Sequence, residues 1–405
     1  MRTLRAVRSF PLPVRLLLVN QLGVNTGFYL LIPYLATHLG RDLGLSAVAV
    51  GLVLGVRNLS QQGLFILGGS AADRLGARGV IIAGCALRTV GFGLFALGDG
   101  LAVLLAASAL SGLAGALFNP AVRTYLAHES GGRKAEAFAL FGVFATTGAL
   151  LGPLLGTALL LVDFRAAALG AAGIFALLTV AQACALPARP VPPPTTRVLG
   201  DWGEVLGDRR FLAFALALVG LYVLESQLYL LLADRARAAT GWDGAVGLLF
   251  LTSTVANLTL QLRITRSLQQ RGSRGRWIAC GLLLAGLAFL PPLLAGGLAP
   301  LLLTALLLHT GVMIAQPFVQ ELIPAFGRDG LTGTYYGVFY LVSGLAAALG
   351  NASVGWAMDT AAAAPWLLCC ALGSTCAAAV ARQRTRLPDP TVRPPVPRQP
   401  TGEPT

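Results

Sequence analysis

Two residues inside apolar segments of this chain carry side chains that could bind and release a proton. Glu225 is the only carboxylate deep within such a segment, and burial there disfavours its anionic form. His309 lies in a later apolar segment, and an imidazole changes charge near neutral pH. Both are candidates for proton coupling. The alternatives are a Glu225 that faces a loop or lipid head groups, and a His309 that only packs.

Two arginines are also placed inside apolar segments. Arg57 and Arg88 each lie about halfway along one, where an unpartnered charge costs at least ~2.5 kcal/mol on insertion scales. Each therefore either bonds backbone carbonyls and holds helices together, or faces a cavity. In a cavity they are further candidates for proton coupling, or they attract an acidic group of a substrate.

The composition indicates a membrane protein. Hydrophobic residues make up 56% of the 405 residues and charged residues only 12%, about half the charged fraction of a soluble domain. The net charge of +13 is spread between apolar runs of 18 residues or more, which a nucleic-acid-binding protein does not need. The six cysteines lie inside apolar segments, with neither zinc-site nor disulfide spacing.

The hydropathy pattern predicts an all-α membrane protein with twelve spans. The charge-free stretch 16–40 is too long for the apolar core of a signal peptide, so it is predicted to be the first span. The predicted spans are 16–37, 45–68, 80–97, 101–117, 137–161, 166–186, 211–232, 244–262, 277–294, 298–319, 334–356 and 361–380.

The distribution of Lys and Arg predicts that both termini are cytoplasmic. With an even number of spans, this orientation puts all but six of the 30 Lys and Arg residues inside, as the positive-inside rule requires. The exceptions are Arg41, Arg165, Arg235 and Arg237 outside, and Arg57 and Arg88 within spans.

A proline-rich break after the sixth span divides the chain. Residues 187–210 include three consecutive prolines (192–194) followed by a charged stretch, which is typical of a linker. We expect a six-helix bundle over 1–186, a cytoplasmic linker over 187–210, a second six-helix bundle over 211–387, and a disordered tail over 388–405. Two pseudo-symmetric halves favour a substrate site between them, near the bilayer midplane.

The stretch between the second and third predicted spans has the pattern G-x-x-x-D-R-x-G-x-R. It resembles the signature of the major facilitator superfamily. The resemblance implies a conformational latch, in which the loop aspartate engages the start of the eleventh span, here residues 332–334. Arg123 or Arg133 could complete the cluster. The latch residues are Gly69, Asp73, Arg74, Gly76, Arg78 and Arg123.

The fifth predicted span carries G-x-x-x-G-P-x-x-G, formed by Gly148, Gly152, Pro153 and Gly156. Glycines four residues apart leave a groove on one helix face, and the proline allows a bend. The pattern is similar to the motif of antiporter members of the superfamily, chiefly drug:proton exporters. One departure is Ser108, where many of those exporters have an arginine. Arg88 or Arg57 would have to take its role.

The first 186 residues further resemble multidrug exporters of the MdtH type, through 55–63, 86–92, 111–120 and 163–165. In this superfamily the first, fourth, seventh and tenth spans line the substrate cavity. The resemblance and the polar residues together give the expected cavity side chains, which are Asn25, Tyr29, Gln61, Tyr222, Asn257 and Gln316.

These patterns predict a monomeric, multi-pass transporter of the cell membrane rather than an enzyme. We expect it to export a drug-like molecule or secondary metabolite by alternating access, driven by the proton gradient, without a cofactor, a metal or a nucleic acid. No phosphate-binding G-x-x-x-x-G-K-[ST] loop occurs in the chain, which disfavours an ATP-driven pump. The alternatives are a proton symporter that imports an anionic metabolite, and a membrane sensor that binds its ligand without transport.

Overall fold

The computed structural model describes residues 2–189, 197–242, 244–271, 273–328, 330–385 and 387–388. Within these ranges every regular element is a helix. The helices up to the linker are α1 (Arg2–Arg8), α2 (Leu12–Thr37), α3 (Ala47–Gly63), α4 (Phe65–Leu75), α5 (Ala77–Leu97), α6 (Leu101–Glu129), α7 (Lys134–Leu160) and α8 (Phe164–Ala185).

The second half repeats this all-helical pattern with more interruptions. A short helix, α9, lies in the segment predicted to be a linker. The helices are α9 (Val198–Gly207), α10 (Arg209–Ala217), α11 (Val219–Ser226), α12 (Leu231–Thr240), α13 (Gly244–Gln269), α14 (Arg274–Leu287), α15 (Pro291–Leu294), α16 (Leu298–Leu322), α17 (Thr332–Thr360) and α18 (Ala364–Gln383).

The described residues form eleven helical stretches that are long and apolar enough to cross a membrane, or twelve if a bent pair is one span. The pair is α3 with α4, which meet at an angle of 46°. The predicted second span, 45–68, falls on this bent pair and not on the single helix expected from the sequence. Leu64 interrupts it, and its continuation reaches Leu75.

The turn after α4 is much shorter than expected. Asp73 and Arg74 lie in the last turn of α4 rather than in a loop, and α5 begins directly after Gly76. Gly76 has φ +86°, a conformation that side chains with a Cβ rarely adopt. A single glycine therefore reverses the chain, which fixes the carboxylate of Asp73 at the end of a rigid helix.

The seventh span, predicted as 211–232, is also broken. Its first part, α10, is capped by Asp208, whose side chain accepts hydrogen bonds from the amides of Arg210 and Phe211 at 3.0 and 3.1 Å. After α11 a turn at residues 227–230 precedes α12. Glu225 therefore lies in helix α11, within one turn of this interruption.

Packing brings the apolar helices together mainly through neighbours in the same half of the chain. In the first half α2 packs on α7, and α5 on α6 and α8; in the second half α14 packs on α16 and α18. Contacts across the halves join α4 to α17 and α7 to α13 and α16. The division into two bundles stays a prediction. Of the predicted linker and tail, residues 190–196 and 389–405 lie outside the described ranges.

Candidate functional site

A cavity of about 780 Å³ lies where helices from both halves meet. This volume is within the range that holds drug-sized ligands, roughly 300–1,000 Å³. Side chains from α2, α6, α7, α11, α13 and α16 line it, and they combine aromatic rings, carboxamides and a few ionisable groups. The sequence-predicted residues among them are Asn25, Tyr29, Glu225, Asn257, His309 and Gln316.

Glu225 supplies the one carboxylate among the described residues that line this cavity. No hydrogen bond or ion pair of its carboxylate is formed within the described part of the chain. Tyr29 and Tyr229 line the same cavity, and the Tyr229 ring lies 5.0 Å from that of Phe250. An acid beside aromatic faces is suited to an organic cation or to a proton.

His309 faces the same cavity from α16. Its Nδ1 lies 3.2 Å from the backbone oxygen of Ala305, so one ring nitrogen is engaged by its own helix. The other nitrogen is left to the cavity.

Two predicted cavity residues do not line the cavity. Gln61 packs against α6 instead, where its side-chain oxygen lies 2.8 Å from the position that a Cβ on Gly115 would take. Tyr222 packs edge-on against Phe339, with ring centroids 5.7 Å apart. Tyr222 lies on α11, which reaches the cavity through Glu225 on another face, whereas α3, the helix of Gln61, contributes none of the described lining residues. Helix position and rotation depend on packing that a hydropathy pattern does not contain.

Arg57 and Arg88 also lie away from the cavity lining. Arg88 is 4% exposed, and its guanidinium lies 5.3 Å from the ring of Phe118 and 5.4 Å from that of Phe175. Arg57 lies 5.1 Å from the ring of Phe28 and donates to Asn58 at 2.6 Å. Cation–π contacts of this kind stabilise buried guanidiniums by about 2 kcal/mol. The placement favours the alternative in which both arginines hold helices together.

Arg123, assigned from the sequence to the cluster around Asp73, is turned toward the cavity instead. Its guanidinium lies 4.6 Å from the ring of Tyr340 and 5.4 Å from that of Phe141, and it donates to the backbone oxygen of Asn119. The side-chain amide of Gln320 donates to the Tyr340 hydroxyl at 2.6 Å. Tyr340 lies two turns after the start of α17, where Asp73 binds. Arg123, Tyr340 and Gln320 therefore lie between the cavity and Asp73. Arg133, the other residue considered for that cluster, pairs with Glu136.

Asp73 caps the N-terminus of α17. Its two carboxylate oxygens accept hydrogen bonds from the amides of Gly333 and Thr334, both at 2.7 Å, and from the Thr334 hydroxyl at 2.8 Å. A helix N-terminus presents unpaired amides and a positive dipole end, so it stabilises a carboxylate. The contact expected from the sequence between Asp73 and residues 332–334 is therefore present.

Glycines allow α4 and α17 to approach closely enough for this cap. A Cβ on Gly69 would overlap the backbone of Gly333, and a Cβ on Gly337 would stand 2.9 Å from the Cα of Ile66. Ser70, next to Gly69, is 3.3 Å from the Thr334 hydroxyl. The small residues thus position the carboxylate, as the spacing of Gly69 and Asp73 on one helix requires.

The arginines of the same motif have separate partners. Arg78 donates to the backbone oxygens of Leu186 and Ala183, both at 2.6 Å, which are orphan acceptors at the end of α8. Arg74 donates to Asp201 of α9 at 2.5 Å, and Arg328 donates to the other oxygen of Asp201 at 3.3 Å. Asp201 is 5% exposed, and its helix thereby joins residues of both halves.

A further inter-half contact is one that sequence reasoning did not identify. Glu136 at the start of α7 accepts two hydrogen bonds from Arg266 near the end of α13, at 2.8 and 2.6 Å. Arg133 donates to its other oxygen at 3.0 Å. A glutamate in the first turn of a helix is common, so the sequence carried no signal for its partner. We call the end of the protein with Asp73, Asp201 and Glu136 the Asp73 end.

The glycines predicted to form a groove on α7 do so, and α2 occupies the groove. A Cβ on Gly148 would stand 2.9 Å from that of Asn25, and a Cβ on Gly152 would stand 2.7 Å from that of Tyr29. A Cβ on Gly156 would stand 2.8 Å from a ring carbon of Tyr34. Pro153 lines the cavity beside this interface, and its backbone oxygen accepts a hydrogen bond from Tyr34 at 3.0 Å. The motif thus sets the distance between two cavity-lining helices.

Several residues that line the cavity were not predicted from the sequence, because no pattern in the chain assigns them to a cavity. Gln21 and Asn119 are polar residues in apolar helices, a signal that could have found them. The aromatic members had no such signal. The missed lining residues include Gln21, Asn119, Phe138, Phe141, Phe250 and Gln320.

Comparison with known sequences identifies the family. A family profile described as Major Facilitator Superfamily matches residues 17–351. The chain is 43% identical over 367 residues to an uncharacterized MFS-type transporter of Mycobacterium tuberculosis, covering 87% of this chain and 88% of that protein. It is 33% identical over 367 residues to the multidrug resistance protein MdtH of Klebsiella pneumoniae, covering 88% and 90%.

Solved structures agree with this fold at low sequence identity. The Escherichia coli fucose:proton symporter FucP superposes with a TM-score of 0.75 at 16% identity, covering 93% of this chain and 99% of that one. The human organic anion transporter TETRAN gives 0.72 at 20% identity, covering 91% and 98%. With its apolar helices, the chain is a multi-pass membrane protein and not an enzyme. It belongs to the major facilitator superfamily of transporters.

Proposed function

We propose that this transporter is a proton-coupled exporter of drug-like amphiphilic molecules, with Glu225 as the group that alternates between proton and substrate. The observation that carries the proposal is the placement of this carboxylate, without a protein partner among the described residues, in a cavity with aromatic and carboxamide walls. Such walls accept varied apolar ligands, while the acid favours those with a positive charge. The similarity to multidrug resistance proteins supports the same direction of transport.

The proposed cycle uses alternating access between two six-helix halves. In the conformation described, contacts at the Asp73 end hold α4 to α17 and α7 to α13. We expect this end to face the cytoplasm, so the conformation is outward-facing and releases substrate. Protonation of Glu225 from outside then favours the return, because a neutral acid no longer holds a cation.

The decisive test is flux in everted membrane vesicles with an acidic interior. The fluorescent cation ethidium should accumulate in vesicles that contain the wild-type protein, and collapse of the pH gradient should release it. Glu225→Gln should abolish proton-driven accumulation at equal expression. The matched control is Asp359→Asn, an exposed acid at the far end of α17, which should transport normally. Accumulation by Glu225→Gln at the wild-type rate would overturn the proposal.

A second candidate function is the import of an anionic metabolite by proton symport. Arg57 and Arg88 no longer favour it, because neither lines the cavity. Arg123 does favour anion import, because its positively charged side chain lines the cavity. In the same vesicles, this alternative predicts no accumulation of ethidium. In these vesicles protons run outward, so an organic anion loaded into the lumen would leave together with protons.

A further inference from the structure

A second, smaller cavity lies at the Asp73 end, between helices from the two halves of the chain. Its volume is about 380 Å³, and Arg5, Ala6, Ser9 and Arg266 line it. The first three residues belong to α1 and the turn after it, directly before the first span. The cavity is therefore at the level where the spans end and lipid head groups begin.

The short helix α1 is fixed against the protein. Ala6 is 2% exposed and Phe10 is 4% exposed, so this side of the segment is buried. Arg133 reinforces the position, since its guanidinium lies 4.0 Å from the Phe10 ring and donates to the Ser9 hydroxyl at 3.0 Å. Arg5 is thus held at the rim of the cavity by a packed helix.

The cavity carries more positive charge than its surroundings balance. Arg5 and Arg266 line the cavity, and Arg133 adjoins it through its hydrogen bond to Ser9. The carboxylate of Glu136 accepts hydrogen bonds from Arg133 and Arg266. Within the described residues, the guanidinium of Arg5 forms no hydrogen bond or ion pair. Arg133 and Arg266 share the single negative charge of Glu136, so the guanidinium of Arg5 remains for an anion and the net charge of the group is positive. A guanidinium matches the geometry of phosphate through paired donors.

We propose that this cavity binds the phosphate of an anionic phospholipid, at a site separate from the transport cavity. Basic pockets between spans at the membrane surface bind such head groups. The lining comes from α1 in the first half and α13 in the second. A bound phosphate therefore bridges the same two halves as the Glu136–Arg266 pair and stabilises the conformation in which the Asp73 end is closed.

The test is thermal unfolding of the full chain in a neutral detergent, titrated with phosphatidylglycerol, phosphatidylcholine or inorganic phosphate. Phosphatidylglycerol should raise the unfolding temperature, and phosphatidylcholine should not. Arg5→Gln should weaken the apparent affinity for phosphatidylglycerol about fivefold, the loss expected for one arginine at a membrane surface. The control Arg41→Gln, an exposed arginine at the opposite end, should behave as wild type.

The three additives also separate the two sources of phosphate. If inorganic phosphate raises the unfolding temperature as phosphatidylglycerol does, and Arg5→Gln weakens both, the site is confirmed but its ligand is soluble phosphate. An equal response to phosphatidylcholine, no response to either anion, or identical affinities for Arg5→Gln and Arg41→Gln would each overturn the proposal.

Discussion

Arg266 reaches from the end of α13 to Glu136 at the start of α7 and donates two hydrogen bonds to one carboxylate oxygen. Glu136 is 6% exposed, so its charge depends on this partner and on Arg133 for compensation. Together with the cap of α17 by Asp73, the pair joins the two halves of the chain at a second, separate position. Contacts outside the sequence motif, such as that of Glu136 with Arg266, therefore also hold the two halves together at the Asp73 end.

We expect the Glu136–Arg266 pair to behave as a unit in transport. Glu136→Gln and Arg266→Gln should each slow ethidium flux about fivefold, since Arg266 is partly exposed and solvent weakens the pair. The double variant should be no slower than the worse single variant. Fluxes measured in vesicles at equal protein content give the coupling. Arg263→Gln, an exposed arginine on the same helix, is the control, and strictly additive effects would contradict a direct pair.

Asp73→Asn should reduce transport about tenfold or more while expression is maintained. The substitution keeps the size of the side chain but removes the charge that accepts three hydrogen bonds from α17, and such charge-assisted bonds contribute about 1.5–3 kcal/mol each. Thr334→Val removes one of the three donors and should have a smaller effect. Initial rates of dye flux, normalised to protein in the membrane, measure both. Wild-type flux in Asp73→Asn would show that the contact is not part of the cycle.

The helix α9 gives a prediction that distinguishes two neighbouring acids. Asp201→Asn removes contacts to both Arg74 and Arg328, whereas Glu204→Gln removes only the contact to Arg328. Since Asp201 is buried and the Glu204 side chain is 42% exposed, we expect about a fivefold loss of flux for the first and less than about a twofold loss for the second. Equal fluxes in the two variants would mean that α9 does not connect the halves.

The glycine groove on α7 gives a prediction on stability. Gly152→Ala places a Cβ 2.7 Å from that of Tyr29, so α2 and α7 must move apart, at a cost of about 1–3 kcal/mol. Gly142→Ala on the same helix has nothing within 4 Å of its new Cβ and should be neutral or slightly stabilising. Unfolding temperatures in detergent compare the two. If Gly152→Ala unfolds at the same temperature as the wild type, α2 and α7 can move apart without a cost in stability.

The motifs allowed correct sequence predictions wherever the backbone carries the interaction. The resemblance to the superfamily signature implied that Asp73 engages residues 332–334, and the amides of Gly333 and Thr334 do donate to it. The aspartate lies in the last turn of α4, however, and not in the expected loop. The repeat of Gly148, Gly152 and Gly156 likewise predicted a groove, because a missing Cβ has the same consequence in any helix. The lengths of the apolar segments predicted the spans, because a helix must be long and apolar enough to cross the bilayer. The breaks at Leu64 and at residues 227–230 had no clear sequence signal.

The residues that face the cavity were decided only by the tertiary structure. Gln61 and Tyr222 were expected there, yet they pack between helices. For Arg57 and Arg88 both a cavity role and a packing role were open, and both side chains pack against aromatic rings. Arg123 was expected at the Asp73 cluster and lines the cavity instead. In a membrane helix, lipid and protein neighbours are both apolar, so hydropathy fixes that a helix forms but not its rotation. Contacts such as that of Glu136 with Arg266 join residues far apart in the sequence, and they exist only because packing brings two helix ends to the same place.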